Sequence, residues 1–259
     1  MPAFRWSGRW SGWGLLLLLA LAWQASAQVA NSLSWPPFSE VASAFAGGVA
    51  GGELPAVLGS TLWRLLRGFA IGSFVGLALG VLMSVSPLMR RTLLPSCELL
   101  RPIPISAMIP PLVFLLGVGD VLRISVIALT AFFPVVINTM SGIAGIDPVH
   151  RQMARTFGLS RAAELRHVII PAAMPYVLAG MRTSLGLALV ATVVAEMLVG
   201  SDGIGQHLLL MQFALRSADM YAALIALAAM GYALNALFLA IENRLIHWSR
   251  TGDAGGSVV

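Results

Sequence analysis

Long apolar stretches alternate with short polar segments along most of this chain. Residues 61–86, 92–119, 121–143, 175–200 and 220–247 are each predominantly apolar. A helix needs about 20 such residues to cross the hydrocarbon core of a bilayer, and these stretches reach that length. Because a helix satisfies its own backbone hydrogen bonds in lipid, the pattern predicts an all-α membrane protein with at least five spans.

The first 60 residues allow two interpretations. Arg5 and Arg9 precede an apolar stretch, residues 13–30, that contains Ala25-Ser26-Ala27. This arrangement is typical of a cleavable signal peptide, but it also fits a first transmembrane helix with basic flanks. Residues 31–60 contain prolines and glycines and predict an outer loop, with a short amphipathic helix over residues 41–45.

Glycines predict how one span packs. Gly68, Gly72, Gly76 and Gly80 recur every four residues, so they lie along one face of the span 61–86. A row of small residues lets a second helix approach closely, which is how helices associate in lipid.

Prolines set the span 92–119 apart from the others. Five prolines interrupt it, at positions 95, 102, 104, 110 and 111. Each interior proline frees a backbone carbonyl that lipid cannot satisfy, so this span is expected to face protein or line a cavity. Glu98 and Arg101 lie three residues apart there and either pair or remain two interfacial charges without a role.

The composition agrees with the apolar pattern and removes several functions. The chain is 58% hydrophobic and 10% charged with a mean hydropathy of +0.86, whereas a soluble domain has about 25% charged residues. Its net charge is +5 and it contains arginine but no lysine. A Walker A loop and Schiff-base chemistry both need lysine, and the scattered arginines lack the contiguous basic face that nucleic acid needs. The single cysteine, Cys97, excludes an intrachain disulfide and most metal sites.

Three polar residues near the ends of spans are candidates for chemistry. Asp120 completes a G-x-G-D pattern found in intramembrane aspartyl proteases, but no second aspartate lies within a span, so Asp120 is predicted to be a helix N-cap. Glu196 has two interpretations: a gating or pairing role within the membrane, or a side chain that reaches the outer interface. A proton relay is not expected, because the spans contain no evident partner acid or histidine. His207 lacks a second ligand at metal spacing and is expected to be an exposed residue of the loop 201–219.

The longest interior segment that could not lie in lipid is residues 147–175. Six residues punctuate it: Asp147 and Ser160 as helix N-caps, Pro148 at a first helical position, Gly158 as a helix end, and Pro171 and Pro175 as breaks before the next span. The segment therefore predicts two short helices.

The first of these helices has the chemistry of a docking element. It brings Met153, Ala154 and Phe157 close together beside Arg151 and Arg155. An apolar knob with a basic collar suits a groove on a partner protein. The other interpretation is an ordinary connector whose arginines follow the positive-inside rule.

The same segment resembles the EAA loop of bacterial ABC-importer permeases, which reads E-A-A, three residues, G, nine residues, then I-x-L-P. Here the pattern becomes Gln152-Met153-Ala154, Gly158 and Val168-Ile169-Ile170-Pro171, with the spacing intact. Gln152 and Met153 replace the usual Glu and Ala, which puts an ion pair at the first position in doubt. The resemblance covers roughly residues 60–250 and is strongest to permeases for sulfonates, taurine, nitrate and thiamine precursors. Shorter motifs typical of that group are Arg101-Pro102-Ile103-Pro104, Gly117-Val118-Gly119, Phe133-Pro134, Ala195-Glu196-Met197 and Gly203-Ile204-Gly205.

The resemblance implies a MetI-like fold with six transmembrane helices, a five-helix core plus the N-terminal helix, and it favours a retained helix over a signal peptide. It implies a domain division into residues 1–60, a permease core 61–250 with the loop 147–171, and a disordered tail 251–259. The implied partners are two copies of an ABC ATPase subunit, a second permease, a periplasmic solute-binding protein and membrane lipid, with no nucleic acid. The second permease is either another copy of this chain, in a homodimer, or a close relative. The chain itself would hold no cofactor, because ATP would bind the partner subunit.

The resemblance also implies three groups of site residues. The residues expected to dock the ATPase are His150, Arg151, Gln152, Met153, Ala154, Arg155, Phe157, Gly158, Ser160, Arg161, Glu164 and Arg166. The residues expected at the gate or translocation path are Ser184, Leu187, Ala188, Ala191, Thr192 and Glu196. The loop residues expected to face the binding protein are Gly117, Gly119, Asp120, Asp202, Gly203 and Gly205.

Arginine distribution predicts the orientation in a bacterial inner membrane. With the loop 147–171 inside, both termini are cytoplasmic and most arginines lie on the cytoplasmic side. Arg64 and Arg67 fit this orientation worst and are expected to snorkel to the outer headgroups, unless their span begins later than residue 61. The alternative function is a self-sufficient secondary transporter or channel, which would usually show paired membrane charges or internal repeats.

Overall fold

The computed structural model describes residues 10–246. In chain order its helices are α1 (Trp10–Ala30), α2 (Phe38–Ala50), α3 (Glu53–Val85), α4 (Pro87–Leu100), α5 (Ile105–Leu116), α6 (Asp120–Ala144), α7 (Pro148–Thr156), α8 (Arg161–Glu164), α9 (Ile170–Val199), α10 (Ile204–Phe213) and α11 (Ser217–Leu245), with a π-helical turn at Leu165–Ile169. The all-α prediction is confirmed. The predicted disordered tail 251–259, and the terminal arginines Arg5, Arg9 and Arg250, lie outside the described residues.

Within residues 10–246, four helices are long and apolar enough to cross a membrane: α3, α6, the continuous helix Arg161–Val199, and α11. Helices α4 and α5 pass the same test as a pair but are bent by 105° at residues 101–104, so they make a fifth span if counted together. The apolar stretch Leu17–Ala30 of α1 is shorter, and the sixth crossing therefore stays a prediction.

The centre of the bundle is α6, which packs between α3 and α9. The glycine row of α3 is buried against α6, as its spacing predicts: a Cβ on Gly76 would lie 2.8 Å from the carbonyl oxygen of Phe132. The contact between α6 and α9 also depends on glycine, since a Cβ on Gly180 would lie 2.6 Å from the Asn138 Cβ. Close backbone approach therefore holds the three helices together.

Several predicted boundaries were wrong. Helix α3 begins at Glu53 rather than at residue 61, and the outer segment forms a longer helix, α2, than expected. The second helix of the 147–175 segment is not separated from the next span, because the helix continues through Pro171 and Pro175. The π-helical turn explains this continuity: Pro171 has no N–H to donate, and the wider turn just before it absorbs the change in hydrogen bonding.

The N-terminal helix is held to the bundle by aromatic side chains. Trp23 of α1 stacks on Trp35 with ring centroids 5.2 Å apart, and Tyr221 of α11 packs edge-on against both rings. The Trp23 indole also donates a hydrogen bond to the carbonyl of Pro36 at 3.1 Å. Tryptophan and tyrosine side chains of this kind are enriched at membrane interfaces.

Candidate functional site

The segment 147–169 projects from one end of the bundle with the local structure that its sequence predicts. The Asp147 carboxylate accepts a hydrogen bond from the Val149 amide at 2.8 Å, and the Ser160 hydroxyl accepts one from the Ala163 amide at 3.3 Å. Gly158 lies between the two helices with a φ of +70°, a conformation that favours glycine. The two N-cap predictions and the glycine turn are confirmed.

An exposed apolar row runs along α7 and ends at Phe157, the residue directly after the helix, whose amide donates to the Met153 carbonyl at 3.0 Å. Val149, Met153 and Phe157 are spaced four residues apart and are 54%, 51% and 77% exposed. Ala154 was predicted to belong to this surface, and that prediction was wrong because it is only 2% exposed and faces the protein. The apolar surface is therefore a stripe on one helix face, which we call the α7 stripe.

Arg151 was predicted to lie beside the apolar surface as an outward-facing basic residue, but its side chain points into the protein. Its Nη2 donates to the carbonyl oxygen of Ile143 at 2.9 Å, which ties α7 to the last turn of α6. Its Nε is buried and has no hydrogen-bond partner among the described residues. The Arg155 side chain lies outside the described part of the structure. The remaining predicted docking residues lie at the surface or partly so: His150, Gln152, Gly158, Ser160, Arg161, Glu164 and Arg166.

The opposite end of the bundle holds a cluster of five charged residues, which we call the ion cluster. It consists of Arg64, Asp120, Arg123, Glu196 and Asp202. Arg64 lies at its centre with a side chain 7% exposed, and it reaches three carboxylates from three of its nitrogens. Its Nε donates to Asp120 at 2.7 Å, its Nη1 to Glu196 at 3.2 Å, and its Nη2 to Asp202.

Glu196 is fully buried and its carboxylate is surrounded by donors. The Thr61 hydroxyl lies 3.0 Å and 2.9 Å from its two oxygens, and the Gly205 amide donates to it at 3.1 Å. Thr61 in turn accepts from the Ile204 amide at 2.9 Å, so α3, α9 and the start of α10 meet here. A buried charge needs such partners to offset its desolvation.

Asp202 and Arg123 close the cluster on the solvent side. Arg123 Nη1 donates to Asp202 at 2.8 Å, and Nη2 lies 3.1 Å from Asp120. Partial burial opposes ionisation of Asp202, but hydrogen bonds and charge from Arg64 and Arg123 outweigh that effect and hold the pKa of Asp202 below its usual value.

The ion cluster corrects two predictions, for Asp120 and Arg64, and decides between two alternatives for Glu196. Asp120 is not an N-cap, because Gly119 precedes the helix and the Asp120 carboxylate pairs with two arginines. Arg64 does not snorkel to headgroups, although Arg67 does lie at the surface over the Trp63 ring, 4.1 Å from its centroid. Of the alternatives for Glu196, the structure shows buried pairing rather than an interfacial position. An arginine inside an apolar helix was itself a signal, since such residues usually have a partner.

The six residues predicted for a translocation path are not gathered on one open surface. Ser184, Ala188, Ala191 and Thr192 are buried on the face of α9 that packs within the bundle, beside Glu196. Leu187 is 47% exposed and borders a cavity. Their role in a path stays a prediction.

The six predicted binding-protein residues come together at the ion-cluster end but differ in exposure. Gly203 and Gly205 are buried, because there is no room for a Cβ beside Glu196 at either position. Gly117, Asp120 and Asp202 are exposed and Gly119 is partly so. His207, predicted to be exposed, is buried in α10 with Nδ1 3.5 Å from the Glu53 carboxylate, so that prediction was wrong.

Two adjoining cavities follow the same side of α6. The larger, of about 680 Å³, lies at the α7 end and is bordered by α4, α6 and α7. The smaller, of about 380 Å³, extends past the α4–α5 bend toward α9. Arg101, Phe133 and Ile137 line both, so the cavities meet at the bend. No ion pair forms between Glu98 and Arg101, although both line the larger cavity.

Comparison with known proteins places these features in context. The family described as "Binding-protein-dependent transport system inner membrane component" matches residues 68–250. A putative aliphatic sulfonates transport permease protein SsuC of Bacillus subtilis (strain 168) is 32% identical, over 92% of this chain and 88% of that protein. The taurine transport system permease protein TauC of Escherichia coli (strain K12) is 30% identical, over 90% of this chain and 87% of that protein.

A nitrate import permease and a solved transporter extend the comparison. The nitrate import permease protein NrtB of Leptolyngbya laminosa is 33% identical, over 73% of this chain and 68% of that protein. The inward-facing MetNI methionine ABC transporter has a chain with a TM-score of 0.63 and 20% identity, covering 71% of this chain and 92% of that chain. At that identity the structural match establishes a shared fold.

Proposed function

The chain belongs to the binding-protein-dependent transport system inner membrane component family, and from this premise we propose that it is the permease subunit of an ATP-driven importer for a small solute. It forms the membrane path and couples to a separate ATPase through the segment 147–169. Two ATPase copies bind the ATP, and the permease holds no cofactor of its own. A second permease copy, as a homodimer, completes the path.

The α7 stripe is the observation that carries this proposal. Its three side chains are at least half exposed and lie on α7 and the residue after it, a helix of nine residues that is too short to span a bilayer. The helix is also anchored, by Ala154 packing and by Arg151 donating to Ile143. An exposed apolar row on a held helix suits insertion into a groove of a partner.

Because α7 is attached to α6, binding of the ATPase to the α7 stripe can move the membrane helices. When ATP closes the two ATPases, a partner gripping the α7 stripe displaces α7. The displacement reaches α6 through Arg151 and reaches α9 through the continuous helix that begins at Arg161. Such a rigid-body change, driven by different contacts in the two states, alternates access to the path.

The orientation follows from charge. The α7 end carries Arg90 and Arg91 as well as the arginines of the segment 147–169, so we assign it, and both termini, to the cytoplasm of a bacterial cell. The ion-cluster end then faces the periplasm, where Gly117, Asp120 and Asp202 present a surface to the solute-binding protein.

The substrate class follows from the relatives. Permeases named for aliphatic sulfonates, taurine and nitrate are about equally similar to this chain. We therefore propose a sulfonate-like or nitrate-like solute, with a neutral thiamine precursor as the remaining candidate.

A self-sufficient secondary transporter is the second candidate, and the buried charges of the ion cluster are the observation that favours it. Those charges pair with one another at one end of the bundle, which is the arrangement expected if their role is to hold the helices together. Uptake by proteoliposomes that contain this chain without the ATPase would support a secondary transporter and refute the importer.

Replacing Phe157 with aspartate tests docking directly. The substitution places a charge in the middle of the proposed apolar contact, and burying an unpaired carboxylate opposes binding. We expect the Phe157→Asp permease to insert in the membrane normally and to lose the ATPase during co-purification.

The matched control is Phe213→Asp. Phe213 is also 77% exposed but is the last residue of α10, the helix that begins beside the ion cluster. The Phe213 variant should retain the ATPase. Equal ATPase recovery with wild type and both variants would contradict docking through the α7 stripe.

A further inference from the structure

Arginines at the two ends of the bundle differ in their partners. At the ion-cluster end, Arg64 and Arg123 are paired with carboxylates. In the larger cavity, Arg90, Arg101 and Arg151 border the space together with Glu98. Within residues 10–246, none of these three arginines has a nitrogen within 4.0 Å of a carboxylate oxygen, so none forms an ion pair. With three arginines and one glutamate at its border, the cavity wall therefore carries a net positive charge.

One of these guanidinium groups is short of a hydrogen-bond acceptor as well as a countercharge. Arg151 Nε is buried without a partner, although Nη2 of the same group donates to Ile143. Buried donors in folded proteins are nearly always satisfied, so this guanidinium group has an unused capacity to donate to a further acceptor. An arginine fork is suited to oxyanions, because it offers parallel N–H donors.

The shape of the space agrees with a solute route. The two cavities meet at Arg101, where the helix bends by 105° between α4 and α5. The smaller cavity is lined largely by apolar side chains and by neutral polar ones such as Thr130, Asn138 and Thr183. Positive charge therefore increases along the route from the smaller cavity toward the α7 end.

We infer that the larger cavity is an oxyanion-binding site, formed by Arg90, Arg101 and Arg151, for a solute head group such as sulfonate or nitrate. The inference rests on the proposed function and adds that this chain, and not only a binding protein, recognises the charge of the cargo. Arg101 selects the anion at the junction of the cavities, and Arg90 and Arg151 hold it at the α7 end. Because Arg151 belongs to α7, an occupant of this site contacts the helix that docks the ATPase.

A lipid phosphate offers the same chemistry as a free oxyanion, so the experiment separates the two. The permease–ATPase complex is placed in nanodiscs of neutral phosphatidylcholine and titrated with methanesulfonate by calorimetry. We expect wild type to bind, and Arg101→Gln and Arg90→Gln to bind roughly tenfold more weakly, because each loses a hydrogen bond to a charged group. Arg91→Gln is the matched control: Arg91 follows Arg90 on α4 and is exposed like it, but it is not one of the residues that line the cavity.

Each outcome has one meaning. Loss of binding in the Arg90 and Arg101 variants, with Arg91→Gln unchanged, supports the site. Equal binding by all four proteins, or no binding by wild type, overturns it. Retention of phosphatidylglycerol that depends on Arg101, without methanesulfonate binding, assigns the cavity to a lipid headgroup and also overturns it. The proposed function is judged separately, by ATPase co-purification from the same cells, so its failure is not confused with failure of the site.

Discussion

Replacing Arg64 with methionine is expected to destabilise this protein strongly. Methionine keeps much of the length of the side chain but removes the hydrogen bonds to Asp120, Glu196 and Asp202. The ion cluster holds two arginines and three carboxylates, a net charge of −1, and the substitution changes this to −2. Glu196, at 0% exposure, is left with neutral donors only, from Thr61 and Gly205.

The magnitude follows from that burial. Removing one partner of a buried pair costs about 3–5 kcal/mol, because the remaining charge stays desolvated. For a chain of this size each kcal/mol lowers the melting midpoint by about 2–4 °C, so we expect a decrease of roughly 6–20 °C. The assay is thermal unfolding of the detergent-solubilised permease–ATPase complex, followed by tryptophan fluorescence.

Arg216→Met is the control. The Arg216 side chain makes two hydrogen bonds to the Asp219 carboxylate, at 3.0 and 2.9 Å, but unlike Arg64 it is 54% exposed. An exposed pair contributes about 0–1 kcal/mol, so its midpoint should barely change. Adding Glu196→Gln to Arg64→Met should recover part of the loss, since the unpaired charge is then removed. A decrease for Arg64→Met no larger than that for Arg216→Met would refute the reasoning.

Two further predictions concern packing and pH. Gly72→Ala should lower the melting midpoint, because the new Cβ would overlap the Ala128 carbonyl in the contact of α3 with α6. The control, Gly59→Ala, should be neutral or stabilising, since nothing lies within 4 Å of a Cβ at that position. Equal effects of the two substitutions would contradict close α3–α6 packing. Asp202 has a folded-state pKa below its unfolded value of about 3.9, so its stabilisation is present above that pH and is lost as pH falls through the folded value. Asp202→Asn should therefore be less stable than wild type at neutral pH. The difference should begin to shrink below about pH 4 and vanish once pH is below the folded-state pKa of Asp202, and a difference unchanged by pH would count against the ion pairing.

Local signals along the chain predicted most of the architecture. The apolar stretches identified the core spans, the spacing of Gly68 to Gly80 identified the face of α3 that packs on α6, and Asp147, Gly158 and Ser160 identified the turns of the segment 147–169. These succeed because backbone hydrogen bonding in lipid, close helix approach and helix capping each depend on residues near one another in the chain.

Predictions failed where a residue's environment comes from distant parts of the chain. Pro171 was read as a break, but the π-helical turn lets the helix continue through it. Ala154 lies three residues before Phe157, a spacing that makes the two neighbours on a helix surface, and only the packing of α7 shows that Ala154 faces inward.

The sequence by itself determined that this chain is a helical membrane protein, where most of its spans lie and which segment projects between them. Only the tertiary structure decided how its charges are shared: Arg64 meets Glu196 across 132 positions of sequence and Asp202 across 138, while Arg90, Arg101 and Arg151 border a common cavity without carboxylate partners among the described residues. The physical reason is that helix formation follows from neighbouring residues, whereas pairing of charges depends on which helix faces pack together.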